Sequence, residues 1–436
     1  MRAPPRLYAL ATAAALALAG TALAPTATAT AVSATAVAAS APPGTATAVT
    51  DPAATGTAAT GTAATHPAAT DPAATAPAVT GPVATARAGA PSQRPAPDAA
   101  PPRLRASGNR LVDEKGATRR LLGVNRSGGE FMCVQGRGIF DGPVDDASVQ
   151  AIADWKAGAV RIPLNEECWL GLSHVNPAYA GANYIAAVTS FVARLEAHGI
   201  TPVIELHWTH GRYTGGDSHC PGTEYATCQK PMPDAQYTPA FWTSVAQTFK
   251  NDQAVVFDLF NEPFPDRATS DLTAAWRCWR EGGSCPGIDF QVAGMQTLLN
   301  AVRDTGARNL VLIPGVAYSN DLRQWLTYQP NDPAGNLAAA WHSYNRNSCS
   351  SESCFDQQLA PVIAQVPLVA GEIGENTCSH GYIDRVMAWL DAKGASYLGW
   401  TWNTWDCSSG PSLISDDNGT PTNFGVGLRD HLKGMQ

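Results

Sequence analysis

Two glutamates carry the most chemical information in this 436-residue chain. Glu262 lies in Asn261-Glu262-Pro263 and Glu372 in Gly371-Glu372-Ile-Gly374, each closely following a short apolar run. Two carboxyl groups that can face one another suit cleavage of a glycosidic bond: one, protonated, assists the departing oxygen, and the other, ionised, attacks or activates water. Other apolar runs end in Arg161-Ile-Pro-Leu-Asn165, Glu205-Leu-His207-Trp208, His342-Ser-Tyr344 and Trp400-Thr-Trp402. Singly, each has a structural explanation, since Asn-Glu-Pro can be an ordinary turn and a lone His usually serves the core. Six polar or aromatic ends in chain order are hard to obtain from packing alone.

The elements that must position these ends read as a βα repeat. Strands are expected over Leu121–Val124, Ala159–Leu164, Pro202–Leu206, Val255–Phe260, Leu310–Pro314, Ala338–Ser343, Pro367–Gly371 and Ser396–Trp402. Helices are expected over Asp146–Lys156, Tyr184–His198, Pro239–Lys250, Phe290–Thr305, Phe355–Ala364 and Tyr382–Lys393, with Gly199 and Gly306 at helix stops. A hairpin from Arg110 precedes them, and the fifth unit offers only a short helix over Asp321–Leu326. Eight strands in this alternation, with no Gly-x-Gly-x-x-Gly turn after the first, predict a parallel (β/α)8 barrel rather than an open sheet. Catalytic groups of such barrels gather at the carboxyl ends of the strands, so all six ends fall on one face.

Taken together, the segments Gly123-Val-Asn125, Arg161-Ile-Pro, His207, FDLFNEP from Phe257 to Pro263, His342-Ser-Tyr344, Gly371-Glu-Ile-Gly374 and the Trp-rich eighth strand resemble glycoside hydrolase family 5, the cellulase-like barrels. The resemblance implies a retaining β-glycosidase with Glu262 as general acid/base and Glu372 as nucleophile. It also implies that Asn261 holds the sugar 2-hydroxyl, that Arg161 and Tyr344 bond to Glu372, and that His207 and His342 line the cleft. A Trp of the eighth strand would floor the subsite on the non-reducing side: Trp402 is favoured as nearer the strand end, and Trp400 is the alternative. In these surroundings the guanidinium and tyrosine hydroxyl favour ionised Glu372, while a neighbouring carboxylate and an apolar wall keep Glu262 protonated. No cofactor and no metal is expected.

The first hundred residues have another composition. Arg2 and Arg6 precede an apolar run from Leu7 to Ala24 and small-residue Ala-x-Ala sites, the pattern of a signal peptide over residues 1–31. Residues 32–102 are rich in Ala, Thr and Pro and repeat in fives from Asp51 to Thr85. Without large apolar side chains this tract cannot offset the entropy of ordering and is expected to act as a spacer, leaving residues 103–436 as the catalytic domain. The chain has 29 Lys and Arg against 37 Asp and Glu, of which four and three precede Arg103, so the domain is acidic. That excludes a basic nucleic-acid binder. A secreted monomer is expected, tethered near the envelope by the spacer, without membrane insertion and acting on a β-linked glycan.

The 10 cysteines, all after Arg103, fit disulfides in an exported protein. Proximity suggests Cys133–Cys168, Cys220–Cys228, Cys278–Cys285, Cys349–Cys354 and Cys378–Cys407. Trp169, Trp208, Trp276, Trp279 and Trp405 follow strands and could wall sugar subsites, whereas Trp155, Trp242 and Trp389 fall on helices and suit the core. Three other readings are open: an exo-acting or disaccharide-releasing glycosidase, a non-catalytic carbohydrate-binding protein, and a metal-dependent hydrolase using His207, His210, His342 and a carboxylate.

Overall fold

The computed structural model describes residues 100–216, 222–407 and 410–435. Strands β1 (Arg105–Ser107), β2 (Arg110–Val112) and β3 (Thr118–Arg119) form a small antiparallel sheet, one strand more than the expected hairpin. Then come β4 (Leu122–Asn125), β5 (Ala159–Asn165), β6 (Thr201–Trp208) and β7 (Val256–Asp258). A hairpin of β8 (Gly282–Ser284) and β9 (Gln291–Ala293) stands apart. The chain returns to the barrel with β10 (Val311–Pro314), β11 (Leu337–Tyr344), β12 (Leu368–Gly374) and β13 (Ser396–Gly399). Strands β4 to β7 and β10 to β13 close into one parallel eight-stranded barrel, so every expected strand is present.

The barrel's amino-terminal end is filled by small and branched side chains. Ala159, Val203, Val256, Leu310, Ala338, Val369 and Leu398 form one buried layer, closed from below by Leu104 of the entering chain and Leu111 of β2. Toward the carboxyl end the same strands put polar residues inside: Arg161, Glu205, Asp258 and His342 are all essentially buried. A hydrophobic plug at one end therefore supports a polar mouth at the other.

The surrounding helices are α1 (Asp146–Asp154), α2 (Glu166–Leu170), α3 (Ala182–Ala197), α4 (Thr238–Phe249), α5 (Pro265–Ala268), α6 (Leu272–Glu281) and α7 (Met295–Arg303). They continue with α8 (Trp325–Tyr328), α9 (Glu352–Gln358), α10 (Ala360–Ile363), α11 (Gly381–Lys393) and α12 (Asn423–Gly434). Gly199 and Gly306 do follow helices, with φ of 73° and 85°. Three expectations need correction. The helix expected from Phe290 starts at Met295, because Gln291–Ala293 pairs in the hairpin. The helix over 355–364 breaks at Leu359, two residues before Pro361, whose ring lacks the N–H that an unbroken helix would use and is tolerated in the first turn of the new one. The segment after Asn-Glu-Pro, for which no helix is expected before Phe290, contains α5 and α6; Asp271 caps α6 by accepting from Thr273 N and Ala274 N.

Four expected disulfides are present: Cys133–Cys168, Cys278–Cys285, Cys349–Cys354 and Cys378–Cys407. All lie in segments that follow strand ends on the catalytic side. Cys220 lies outside the described residues, and with it the expected Cys220–Cys228 pair.

Candidate active site

Arg161 is fully buried at the centre of the mouth and donates from its fork to four side chains, with a fifth in ion-pair range. Its Nε donates to Asp258 Oδ2 at 2.9 Å, Nη1 to Asn125 Oδ1 at 3.0 Å and to Glu372 Oε1 at 2.8 Å, and Nη2 to Asn261 Oδ1 at 3.0 Å. Nη2 also stands 3.5 Å from Glu205 Oε1. One guanidinium thus ties together strands β4, β5, β6, β7 and β12. A charge buried this way is tolerable because opposite charges and hydrogen bonds surround it.

Glu372 faces the mouth because of a register shift. Ala340 pairs with Val369 and Trp341 with Ala370, but His342 pairs with Glu372, which leaves Gly371 as the extra residue of a bulge. Both Gly371 and Glu372 consequently address the interior: a side chain on Gly371 would meet His342 Nε2 at 3.1 Å and Arg161 Nε at 3.6 Å. Tyr344 OH donates to Glu372 Oε2 at 2.5 Å.

Glu262 stands opposite, 3.0 Å from His342 Nδ1 through Oε1, while that same nitrogen is 3.5 Å from Glu372 Oε2. Oxygen atoms of Glu262 and Glu372 and a ring nitrogen of His342 all lie within 4.8 Å of one another. Burial pushes both carboxyls upward. At Glu262 the charge of Glu372 adds to burial and drives it well above the usual carboxyl range. At Glu372 burial is opposed by Arg161, His207 and the Tyr344 hydroxyl, so the net rise is the more moderate of the two. Glu372 loses its proton first and Glu262 keeps one, the order expected, although Glu372 is not held at or below the ordinary range as its partners alone would suggest.

His207 Nδ1 is 3.0 Å from Glu205 Oε2 and Nε2 is 3.3 Å from Asn261 Nδ2. Burial holds this imidazole down at about 4 and His342 well below its ordinary value, so both rings are neutral at pH 7. With His207 Nδ1–H given to Glu205, Nε2 accepts from Asn261. Asn261 Nδ2 also donates to Gln229 Oε1 at 2.9 Å.

A cavity of about 360 Å³ opens over these groups, bordered by Trp400, His207, Asn261, Glu262, Tyr318, Tyr344, Arg346, Asn347, Glu372 and Asn376. A second cavity, of about 370 Å³, lies at the opposite end of the barrel beside Arg105 and Asn336, away from the paired glutamates. Trp400 stacks on His207 with centroids 5.4 Å apart and planes at 13°. Here the expectation for Trp402 is corrected. The strand ends at Gly399, so its alternation does not reach either Trp, and Trp402 is buried edge-on against Trp155 at 4.8 Å.

Trp169, Trp276 and Trp279 are also core residues and wall no subsite: each is at most 1% exposed, and Trp169 and Trp279 spend their indole N–H groups on Ser244 and Pro314. Trp405, in contrast, is 46% exposed and leans on Phe131. Trp155, Trp242 and Trp389 are buried as expected. Members of the site to which the sequence assigned no role are Asp258, Glu205, Gln229 and Tyr318. The first two carried a signal, an acidic residue inside an otherwise apolar strand. Gln229 and Tyr318 come from loops with no pattern to mark them.

Among the described residues, two groups bring metal-ligand atoms together: Glu262, His342 and Glu372, and Cys378, Asp406 and Cys407. The cysteines of the second are bridged to each other.

Comparison with known proteins agrees with this arrangement. An endoglucanase of Paenibacillus polymyxa is 21% identical over 350 residues, 71% of this chain and 82% of that protein. The manganese dependent endoglucanase Eg5A of Phanerodontia chrysosporium is 26% identical over 210 residues, and the match spans 47% of this chain and only 46% of that relative. The crystal structure of β-glucanase SdGluc5_26A from Saccharophagus degradans shares the fold, with a TM-score of 0.56 at 19% identity over 80% of this chain and 98% of that one. The cellulase family, glycosyl hydrolase family 5, matches residues 113–406, and the chain belongs to it: it is a glycoside hydrolase on a (β/α)8 barrel.

Proposed function

We propose that this protein is an endo-acting β-glucanase that cleaves by double displacement, with Glu372 as nucleophile and Glu262 as acid/base. The observation that carries this reading is the approach of the two glutamates, whose oxygens come within 4.8 Å. Retaining enzymes space their carboxyl groups at ~5–5.5 Å, whereas inverting ones leave roughly 6.5–9.5 Å for a water. The relatives named as endoglucanases, and a neighbouring β-glucanase whose structure holds cellotetraose, favour a β-glucan over other β-linked polymers.

In the first step a Glu372 carboxylate oxygen forms a bond to the anomeric carbon as the bond from that carbon to the bridging oxygen breaks. Glu262 gives its proton to that oxygen, and the reducing-end fragment leaves as an alcohol. In the second step Glu262, now a carboxylate, takes a proton from water; the water oxygen bonds to the anomeric carbon and the ester to Glu372 breaks. Both glutamates return to their starting states.

The neighbours fit these roles. Arg161 and Tyr344 carry the charge of Glu372, and His342 Nδ1–H donates to Glu262 Oε1, which leaves Oε2 to present the proton. Asn261 is the partner for the sugar 2-hydroxyl and Trp400 the floor on the non-reducing side, with His207 supporting both. Export is part of the proposal, resting on the pattern over residues 1–31 and on the disulfides.

Purified protein assayed on β-1,4-glucan, mannan, xylan, β-1,3/1,6-glucans and aryl glycosides tests the reading. A rapid drop in β-1,4-glucan viscosity ahead of reducing-sugar release is expected. Release of a single short product without that drop overturns endo action, and activity abolished by a chelator overturns the metal-free mechanism.

A further inference from the structure

Three consecutive residues other than glycine, Ala317, Tyr318 and Ser319, have φ of 54°, 59° and 59° in the segment after β10. Left-handed backbone is uncommon for such residues and is normally visited singly, because Cβ crowds the following carbonyl. A run of three persists only where its surroundings over-determine it. Here the surroundings are the segment that bears Glu262.

Ser319 Oγ donates to Asn261 O at 2.7 Å, and Tyr318 N donates to Pro263 O at 3.0 Å. The carbonyls before and after Glu262 are therefore held by adjacent residues of one turn. Between them, the carbonyl of Glu262 itself accepts from Gln229 Nε2 at 3.3 Å. Ser319 O accepts from His342 N at 3.0 Å, and His342 is the side chain that meets Glu262 Oε1. Ala317 N donates to Asp266 Oδ1 at 2.9 Å, which ties the turn to α5, the helix following Glu262. Ser319 is fully buried. One short turn thus fixes the backbone on both sides of Glu262 and the strand position of its imidazole partner.

We propose that the left-handed turn Ala317–Ser319 is a positioning device for Glu262, with the Ser319 hydroxyl fixing the approach of that carboxyl to the leaving oxygen. The proposal rests on the acid/base role given to Glu262. It makes Ser319 a positioning residue, since it touches the Asn261 backbone and not the substrate. Catalysis of this kind is sensitive to place: a displacement of about 1 Å can cost ~10²-fold in rate.

Ser319→Gly separates the hydroxyl from the backbone shape, because glycine adopts the left-handed region without strain. Ser319→Ala keeps the Cβ and serves if the glycine variant does not fold. On β-glucan, kcat/KM should fall ~10- to 100-fold. On an aryl glycoside whose leaving group needs little protonation it should change by less than about threefold.

A second readout needs no substrate. The Glu262 carboxyl can be titrated by ¹³C NMR of glutamate-labelled protein, with Glu262→Gln as the assignment. The groups facing it are Glu372 of β12, His342 and Tyr344 of β11, Arg161 of β5 and Glu205 of β6. These stay in place in the variants, so loosening alone should let water reach Glu262 and move its titration, and the alkaline limb of the rate profile, to lower pH. Equal losses on both substrates with an unmoved titration overturn the proposal, as does full activity on β-glucan. If the parent protein cleaves no β-glycoside, the proposed function fails, and the titration still decides the role of the turn.

Discussion

Arg161 Nη1 stands 2.8 Å from Glu372 Oε1, while Glu262 Oε1 meets the neutral ring of His342, 3.0 Å from Nδ1. A fixed positive charge beside one carboxyl and a neutral imidazole beside the other give two chemically identical side chains different surroundings, which suits the proposed nucleophile Glu372 and acid/base Glu262. The first prediction rests on this asymmetry. Glu372→Gln should abolish turnover of every substrate, since no nucleophile remains. Glu262→Ala should lose ~10²–10⁴-fold on a glucan but keep most of the first-step rate on a dinitrophenyl glycoside. Burst kinetics on the aryl substrate would show the difference, and equal losses for both variants on both substrates would count against these roles.

The two tryptophans after β13 should separate function from stability. Trp402 packs on Trp155 in the core, so Trp402→Ala should cost about 3–5 kcal/mol of stability. Trp400 borders the cleft against His207 and is only half-buried, so Trp400→Ala should keep most of the melting temperature and lose activity mainly through KM. Thermal melts and steady-state kinetics on the pair check this. A Trp402 variant with normal stability and impaired binding would restore Trp402 to the subsite.

Much of this site was legible in the sequence because the barrel turns chain order into geometry: a polar residue that ends an apolar run must lie on one face. Arg161, His207, Glu262, His342 and Glu372 were all reached by that rule. What it cannot carry is local irregularity. By strict alternation from Val369, Gly371 faces inward and Glu372 outward, and only the bulge at Gly371 turns the glutamate to the mouth. Alternation along a strand continuing to Trp402 would put Trp400 and Trp402 on one side, and it fails because the ladder ends at Gly399. The turn at 317–319 has no sequence signature, since Ala, Tyr and Ser advertise no left-handed backbone. The assignments of Trp169, Trp276 and Trp279 failed differently: a large aromatic after a strand fills the barrel–helix layer as readily as it lines a cleft.

Stability should fall with rising pH across the neutral range. Burial pushes Glu205 up to about 8, against the pull of Arg161, and pushes Asp258 and Glu130 up to about 7. In the unfolded chain these carboxyls titrate near 4, so between those values the folded state binds more protons than the unfolded one. Their contribution is complete below about pH 4 and is lost as pH climbs through 7 to 8. Melting temperatures from pH 5 to 8.5 should therefore decline, and Glu205→Gln should flatten the decline. A curve that rises over that interval would mean the cluster is ionised throughout.

Removing residues 32–99 should leave the melting temperature and activity on soluble substrates nearly unchanged, because the tract has no large apolar side chains to contribute to a core. The cut must stop before Pro101, which is buried, and Leu104, which closes the barrel. A drop of several degrees would show that the tract packs on the domain.

The stereochemistry of the first product tests the mechanism itself. The glutamate oxygens approach within 4.8 Å, which leaves too little room for a water to be held between carboxylate and anomeric carbon. Arg161 and Tyr344 bond to the two oxygens of Glu372, at 2.8 Å and 2.5 Å, an arrangement that suits the proposed nucleophile better than a base that orients a water. A β-linked substrate should accordingly yield the β-anomer first, with transfer to added methanol competing with hydrolysis, because a glycosyl ester can be intercepted by any small alcohol. Proton NMR recorded within the first minutes, before mutarotation, distinguishes the anomers. An α-anomer appearing first would remove the nucleophile role from Glu372 even if both glutamates proved indispensable, since inversion needs only a base and a water on that face.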